Sequence, residues 1–423
     1  MYVDMDSLEA LNLLARDGTE RANRALADLT GASTAIGSTR ILLVDREDVV
    51  ERIETGGYEV VRFDIAGTLS GTALLLFDRP ATEAVVDALV GGAEDGMGSA
   101  ALKETANILM GAFTTDWGDH LGTGLEMTAP TYLDDPDADA LQLDPTGPET
   151  DSALVFHSSI TWRDAAGRID VYLAPDRAAL DPVFAETDAD EAEEPADAFD
   201  PDEDGLFGIE EGTDSIPLEK LSVFSDLTKE GSAAAAERVT EMTGVETETE
   251  LAGIAFTPVD DVAAQLGDGD YVGTTVAFEG TPSGSLIVLF DRASATNIAE
   301  AMLPIEPDGD GFTDMHESAI EELGNVMTSG FIDGWANVLE TGVEHTPPEY
   351  VGDVNAAVLE LVTEQLGPFQ THAFTIESTL RTEDVAFSCE IHALPDEADL
   401  GAALEALAVE RKDQTDADPD DLF

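Results

Sequence analysis

Cysteine is almost absent from this chain. Of 423 residues only Cys389 carries a thiol, which excludes a disulfide within the chain and a thiolate metal cage. It stands in the strand-like run Val385–Ile391 and reads as a small buried hydrophobe. Histidine is sparse too: the six residues are scattered, none has a partner at helical spacing, and no metal site is expected. Lysine occurs only at Lys103, Lys220, Lys229 and Lys412. Basic side chains number 19 against 90 acidic ones, for a formal charge of −71. Nucleic-acid recognition requires a basic patch, and anionic membrane surfaces require the same, so neither partner class fits. No apolar run reaches the roughly 18 residues of a membrane span, so no membrane insertion is expected. Met1–Asp6 lacks the basic-then-apolar order of a secretory signal, and the expected location is cytoplasmic.

A charge of this size repels itself and works against a compact state. In molar salt the screening length falls to about 3 Å and much of that repulsion disappears. The composition therefore reads as halophilic, with the acidity answering to the solvent rather than to a ligand. Hydrophobic residues make up 43%, enough for ordinary cores.

What the chain does contain is a repeat of itself. Gly71-Thr-Ala-Leu-Leu-Leu-Phe-Asp-Arg79 matches Gly284-Ser-Leu-Ile-Val-Leu-Phe-Asp-Arg292 at an offset of 213, which also pairs Gly18 with Gly231. Beyond the Gly-, Pro- and Asp-rich stretch Pro304–Thr313 the offset becomes 218, pairing Glu104, Asn107, Trp117, Pro130 and Tyr132 with Glu322, Asn325, Trp335, Pro348 and Tyr350. Near the end of each copy it is 220. The period is far too long for a solenoid. We expect two homologous domains, residues 1–182 and 215–411, joined by an acidic linker at 183–214 and followed by an acidic tail at 412–423. In Thr187–Asp204 ten of 18 residues are acidic, too polar to bury enough apolar surface to offset chain entropy.

Each copy shows the order helix, strands, helix, long helix, strands. Helices are expected at Ser7–Thr30, Ala81–Leu89 and about Ala100–Leu121, and again at about Leu218–Thr243, Ala293–Met302 and about Glu317–Glu340, with Ser99 a candidate cap for the first long helix. Strands are expected at Arg40–Val44, Glu59–Ile65, Thr72–Phe77, Ala153–Trp162 and Arg168–Leu173, and at Phe369–Ser378 and Val385–Leu394. Strands joined mostly by short turns imply an antiparallel sheet covered by helices, an α+β architecture.

Each long helix carries a Glu followed three residues later by an Asn: Glu104 with Asn107, and Glu322 with Asn325. At this spacing the Cβ atoms share one face, about 5–6 Å apart. Leu102, Ile108 and Phe113, and Ile320, Leu323 and Met327, supply apolar residues for the opposite face. Asparagine cannot act as a general base. Because it accepts and donates at once, it can hold a water in line for attack. That suits hydrolysis of an acyl phosphate, which is already reactive and needs positioning rather than covalent work. The Glu can pair with a basic group on a partner. Such a pair is common on exposed helices, and its repetition shows common origin rather than chemistry. Trp117 and Trp335 read as packing residues, and Pro130 and Pro348 as residues that start a strand or fix a turn.

The pattern Ser-x-x-x-Glu-x-x-Asn, 22 residues, Pro resembles the signature of the CheC, CheX and FliY phosphatases of chemotaxis. Ser318, Glu322, Asn325 and Pro348 match it in full; Glu104, Asn107 and Pro130 match with Ala100 in place of the Asp or Ser. The resemblance implies dephosphorylation of a CheY-like response regulator, with Asn325 and Asn107 positioning the water and Glu322 and Glu104 orienting the partner. It implies no cofactor of the chain's own, since the regulator brings the aspartate and its Mg²⁺, and it implies a possible CheD-type deamidase partner. A non-catalytic adaptor, or a motor-switch module binding the regulator or that deamidase, is the alternative. The second Glu-x-x-Asn that CheC carries on its first helix is missing here. Leu13 and Arg16, and Asp226 and Lys229, stand at those positions, so those sites are expected to be inactive. Finally, Asp200–Phe207 and Asp418–Phe423 share an acidic stretch ending in Leu-Phe, and Leu206, Phe207, Leu422 and Phe423 are candidate anchors for docking a regulator.

Overall fold

A computed structural model describes residues 2–91, 97–120, 125–134, 136–144, 152–163, 167–180, 215–258, 271–302, 312–339, 342–352, 372–382 and 387–406. At some of these positions, Trp335 among them, only the backbone is described. The acidic linker, the tail and the four Leu-Phe candidates lie outside the described residues.

The first half forms β1 (Tyr2–Asp4), α1 (Met5–Thr30), β2 (Thr34–Asp45), α2 (Arg46–Gly56), β3 (Glu59–Ala66), β4 (Gly71–Phe77), α3 (Arg79–Val90), α4 (Gly98–His120), β5 (Glu126–Met127), β6 (Thr131–Leu133), α5 (Ala138–Leu141), β7 (Ser152–Trp162) and β8 (Arg168–Pro175). The second half forms β9 (Ser215–Pro217), α6 (Leu218–Thr243), β10 (Thr247–Pro258), β11 (Tyr271–Glu279), β12 (Gly284–Asp291), α7 (Arg292–Met302), α8 (Asp314–Leu339), β13 (Glu344–His345), β14 (Glu349–Val351), β15 (His372–Thr382), β16 (Ser388–Pro395) and α9 (Glu397–Ala406).

Local chemistry explains several boundaries. Asp78 caps α3 by accepting from the Ala81 amide at 2.7 Å, and Pro80 in the first turn gives up an amide that has no helical partner anyway. The short helix α2 ends where Gly57 takes φ 59, a left-handed conformation that glycine adopts without a Cβ clash. Ser99 is not a cap. It lies inside α4, whose first turn closes from the Ala101 amide to the Met97 carbonyl.

Fourteen strands make one sheet in which every pairing is antiparallel. Outward from the middle the order is β2, β7, β8, β4, β3 on one side and β10, β15, β16, β12, β11 on the other, each ending in two short edge strands. Among the described residues the strand order of one half is thus repeated in the other. The halves join edge to edge where Ile41, Leu42 and Leu43 of β2 pair with Phe256, Ala255 and Ile254 of β10. A second, two-stranded sheet pairs Tyr2–Asp4 with Ser215–Pro217.

The layering follows from strand burial. All seven residues of β4 are buried, and a strand apolar on both faces must be covered on both. On one face a core runs through both halves, from Leu26, Phe63, Phe113 and Phe156 to Phe224, Phe290, Phe331 and Ile376, and includes the inward faces of α1, α3, α4, α6, α7 and α8. On the other face of the first half, Val49 and Ile53 of α2 and Leu141 and Leu143 close a smaller core over Val60, Leu74, Leu76, Val155 and Tyr172.

Candidate functional site

The long helices α4 and α8 are built alike. In α8, Ile320, Leu323, Met327 and Phe331 are fully buried, and in α4 Leu102, Ala106, Leu109, Met110 and Phe113 do the same work. Ile108, expected on that face, is only half-buried. Each long helix is pulled tightly against the first helix of its half. A Cβ on Gly18 of α1 would lie 2.6 Å from the Phe113 carbonyl oxygen, and one on Gly231 of α6 would lie 2.8 Å from that of Phe331. Glycine at these two positions lets the paired helices approach until backbone nearly meets backbone.

This packing turns the remaining face of each helix to solvent. Ser318 and Glu322 are exposed and Asn325 is half-buried on α8; Ala100, Glu104 and Asn107 are all exposed on α4. Among the described residues, none of the side chains of Glu104, Asn107, Glu322 and Asn325 makes a hydrogen bond or ion pair within the chain. Pro130 directly precedes β6, which pairs with β3, and Pro348 directly precedes β14, which pairs with β11. Both prolines are half-buried, and the short strands they introduce pack beside α4 and α8. Trp117 is fully buried, 6.2 Å from the Phe113 ring and edge-on to Phe156 at 5.1 Å, and so belongs to the core. Cys389 is buried on β16, and burial raises its thiol well above the ordinary range, so it is an inert packing residue.

One contact distinguishes the two helices. In the second half His345 lies against Ser329, one turn beyond Asn325, with Nε2 3.1 Å from the hydroxyl. Its Nδ1 donates to the Thr346 carbonyl at 3.0 Å, so Nε2 accepts from Ser329. At the offset of 218 the first half has Gly111 and Met127 instead.

On the first helices the expected loss of a second site has a structural counterpart. Lys229 of α6 reaches across the junction to Asp45 and to Asp48, the latter at 2.5 Å. Burial lowers its ammonium's hold on the proton, but the two carboxylates outweigh this and raise it above the ordinary value. Arg16 and Asp226 are likewise engaged in interactions of their own.

Sequence reasoning missed a buried charged cluster on the α2 side of the sheet. Asp170 accepts from His157 at 2.9 Å, Arg168 at 2.8 Å and Arg52 at 3.3 Å. Burial works to raise the Asp170 carboxyl, but Arg168, His157 and Arg52 together hold it well below the usual carboxylate range. Burial lowers His157 to about 4, against the pull of Asp170, so the ring is neutral near pH 7. Part of this cluster, Arg52 and His157, lines an open pocket at the junction together with Arg40, Leu42, Val44, Asp48, Val49 and Tyr172. The members of the cluster are scattered from Arg52 to Asp170 and form no spacing that a sequence could announce. Among the described residues no helix is long and apolar enough to cross a membrane.

Comparison with known proteins supplies the family. A model of the CheC-like family matches residues 315–351, the stretch that holds Ser318, Glu322, Asn325 and Pro348. A protein of Halobacterium salinarum, provisionally named CheY-P phosphatase CheC1, is 36% identical over 183 residues, 43% of this chain and 92% of that relative. The chain belongs to the CheC-like family. Solved structures that align with part of the chain include FliY of Thermotoga maritima, with a TM-score of 0.35 and 14% identity over 45% of this chain and 96% of FliY. The CheX–CheY–BeF3–Mg complex of Borrelia burgdorferi aligns at a TM-score of 0.29 and 18% identity, over 40% of this chain and 98% of that one. The family relationship rests on sequence, and the sheet-and-helix architecture on the strand pairing above.

Proposed function

We propose that the chain removes phosphate from the aspartyl phosphate of a CheY-like response regulator, using the solvent-facing sides of α8 and α4. The observation that carries this reading is the Glu-x-x-Asn pair turned outward, with no partner among the described residues, on a family member whose haloarchaeal relative bears a CheY-P phosphatase name. Asn325 and Asn107 place a water in line with the phosphorus, accepting from it and fixing its lone pair with the amide group. Glu322 and Glu104 pair with a cation on the regulator and set its orientation. The phosphorylated aspartate and its metal ion belong to the regulator, and the leaving carboxylate needs no proton from this chain.

The two halves are two homologous domains in this reading, each with one site on its long helix. The second carries the complete pattern with Ser318; the first has Ala100 in that place and is the weaker of the two. The Leu206-Phe207 and Leu422-Phe423 segments act as tethers that raise the regulator's local concentration. The test is the decay of phosphorylated CheY in molar KCl with and without the full chain. Acceleration by the wild type, reduced by Asn325→Ala, is the expected result. Binding without acceleration would replace the phosphatase by an adaptor that sequesters the regulator.

A further inference from the structure

Large apolar side chains left in solvent are few. Among the described residues they are Leu13, Leu89, Met97 and Met315. Two of the four stand at the same place in the two halves: Met97 and Met315 are separated by the offset of 218 that also relates Glu104 to Glu322 and Asn107 to Asn325. Their exposures are alike, 45% and 47%. Met97 contributes the carbonyl that opens α4, and Met315 lies in the first turn of α8. In both cases the methionine precedes the Glu by seven residues and the Asn by ten. At about 100° per residue, Met315, Ser318, Glu322 and Asn325 fall within an arc of about 80° of α8, and Ala100, Glu104 and Asn107 within about 60° of α4, with Met97 directly ahead of its first residue. In α8 the methionine, a small residue, the acid and the amide thus form one strip, and in the first half the methionine stands at the head of the same sequence of residues.

We propose that Met97 and Met315 are the apolar anchors of the surface that receives the regulator. This rests on the function proposed above and names a further contact of that same face. The occupant is the CheY-like regulator rather than a second copy, because the methionine lies in line with the pair that addresses the phosphoryl group. In molar salt both repulsion and attraction between charges are screened beyond about 3 Å. Docking under those conditions depends on contacts that act at van der Waals range, and salts that are excluded from protein surfaces strengthen apolar burial. Methionine suits such a contact because its unbranched thioether adapts to an irregular recess. The partner therefore offers an apolar recess about three helical turns from the phosphorylated aspartate, with a cation between them for the Glu.

The experiment uses the full chain, Halobacterium salinarum CheY as the probe, and molar KCl. Met97→Ser and Met315→Ser are combined in one variant, and Asn107→Ala and Asn325→Ala in another. Both are compared with the wild type for steady-state dephosphorylation and for binding of beryllofluoride-activated CheY, after circular dichroism has shown that they fold. The methionine variant is expected to raise KM and Kd about tenfold with kcat unchanged, the size of a typical anchor contact. The asparagine variant is expected to lose kcat and keep Kd. Unchanged KM and Kd in the methionine variant, beside normal turnover in the wild type, overturn the anchor assignment and leave the phosphatase reading standing. If the wild type binds without accelerating decay and the methionine variant binds more weakly, the anchor stands and the catalytic reading fails. A wild type that neither binds nor accelerates overturns both.

Discussion

The two halves agree on one face of the sheet and differ on the other. On the helix side, α1 with α4 and α6 with α8 repeat the same close glycine contact, a similar buried stripe, an exposed Met and Glu, and an Asn that is exposed in the first half and half-buried in the second. On the opposite side the first half buries Asp170 completely beneath three cationic or polar partners. The corresponding strand position in the second half is Glu390, whose side chain is 41% exposed and which pairs with His392 at 3.0 Å. What the halves share follows from their common origin; what they do not share is solved differently by local packing. Lys229 then joins the two, tying α6 of one half to β2 and α2 of the other.

Three changes would break this comparison, from the largest effect to the smallest. Asp170→Ala strips the carboxylate from a fully buried cluster and leaves Arg168, Arg52 and His157 uncompensated. It is expected to cost about 3–5 kcal/mol in denaturant unfolding, while Glu390→Ala, at an open site, should cost far less. Equal costs would show that the asymmetry between the faces has no energetic content. The second change is of pH. His157 sits at about 4 in the folded chain, below its ordinary value. Between roughly pH 6.5 and pH 4 the unfolded chain therefore binds a proton that the folded chain refuses. Its contribution is fully present above that window and is lost as pH falls through it, by roughly 3 kcal/mol. His157→Gln should flatten this part of the stability–pH curve measured by thermal unfolding at constant salt; a curve unchanged by the substitution contradicts it. Third, Lys229→Met removes a partly exposed clamp. Discounted for solvent screening, the loss should be about 1 kcal/mol, with increased amide exchange along the β2–β10 seam as the sharper readout. Exchange that stays at the wild-type level there would show that the strand pairing holds the seam alone.

Much of this was legible in the chain itself, for identifiable reasons. The apolar run of β4 and the amphipathic α3 and α7 follow from residue pattern, and their expected spans agree with the structure to within a few residues. The outward turn of Glu322 and Asn325 follows from a buried stripe at Ile320, Leu323 and Met327. Helix α2 was not anticipated. Its sequence, Arg46 to Gly56, is dominated by charge, and only Val49 and Ile53 are fully buried, too few to register as a periodicity. Ser99 has the chemistry of a cap, but α4 begins one residue earlier. The Arg52–Asp170 contact and the edge pairing of β2 with β10 join residues more than a hundred apart, which no local pattern encodes.

The central claim is that an outward-facing asparagine amide, rather than any metal or nucleophile of this chain, drives loss of the regulator's phosphate. It is tested most directly by single-turnover decay of phosphorylated Halobacterium salinarum CheY with the wild type, Asn107→Ala, Asn325→Ala and the double variant, all at a concentration that saturates binding. Misplacing the water should cost about 100-fold, so the account predicts that Asn325→Ala removes most of the acceleration, Asn107→Ala a smaller part, and the double variant all of it. A double variant that still accelerates decay at the wild-type rate would contradict it.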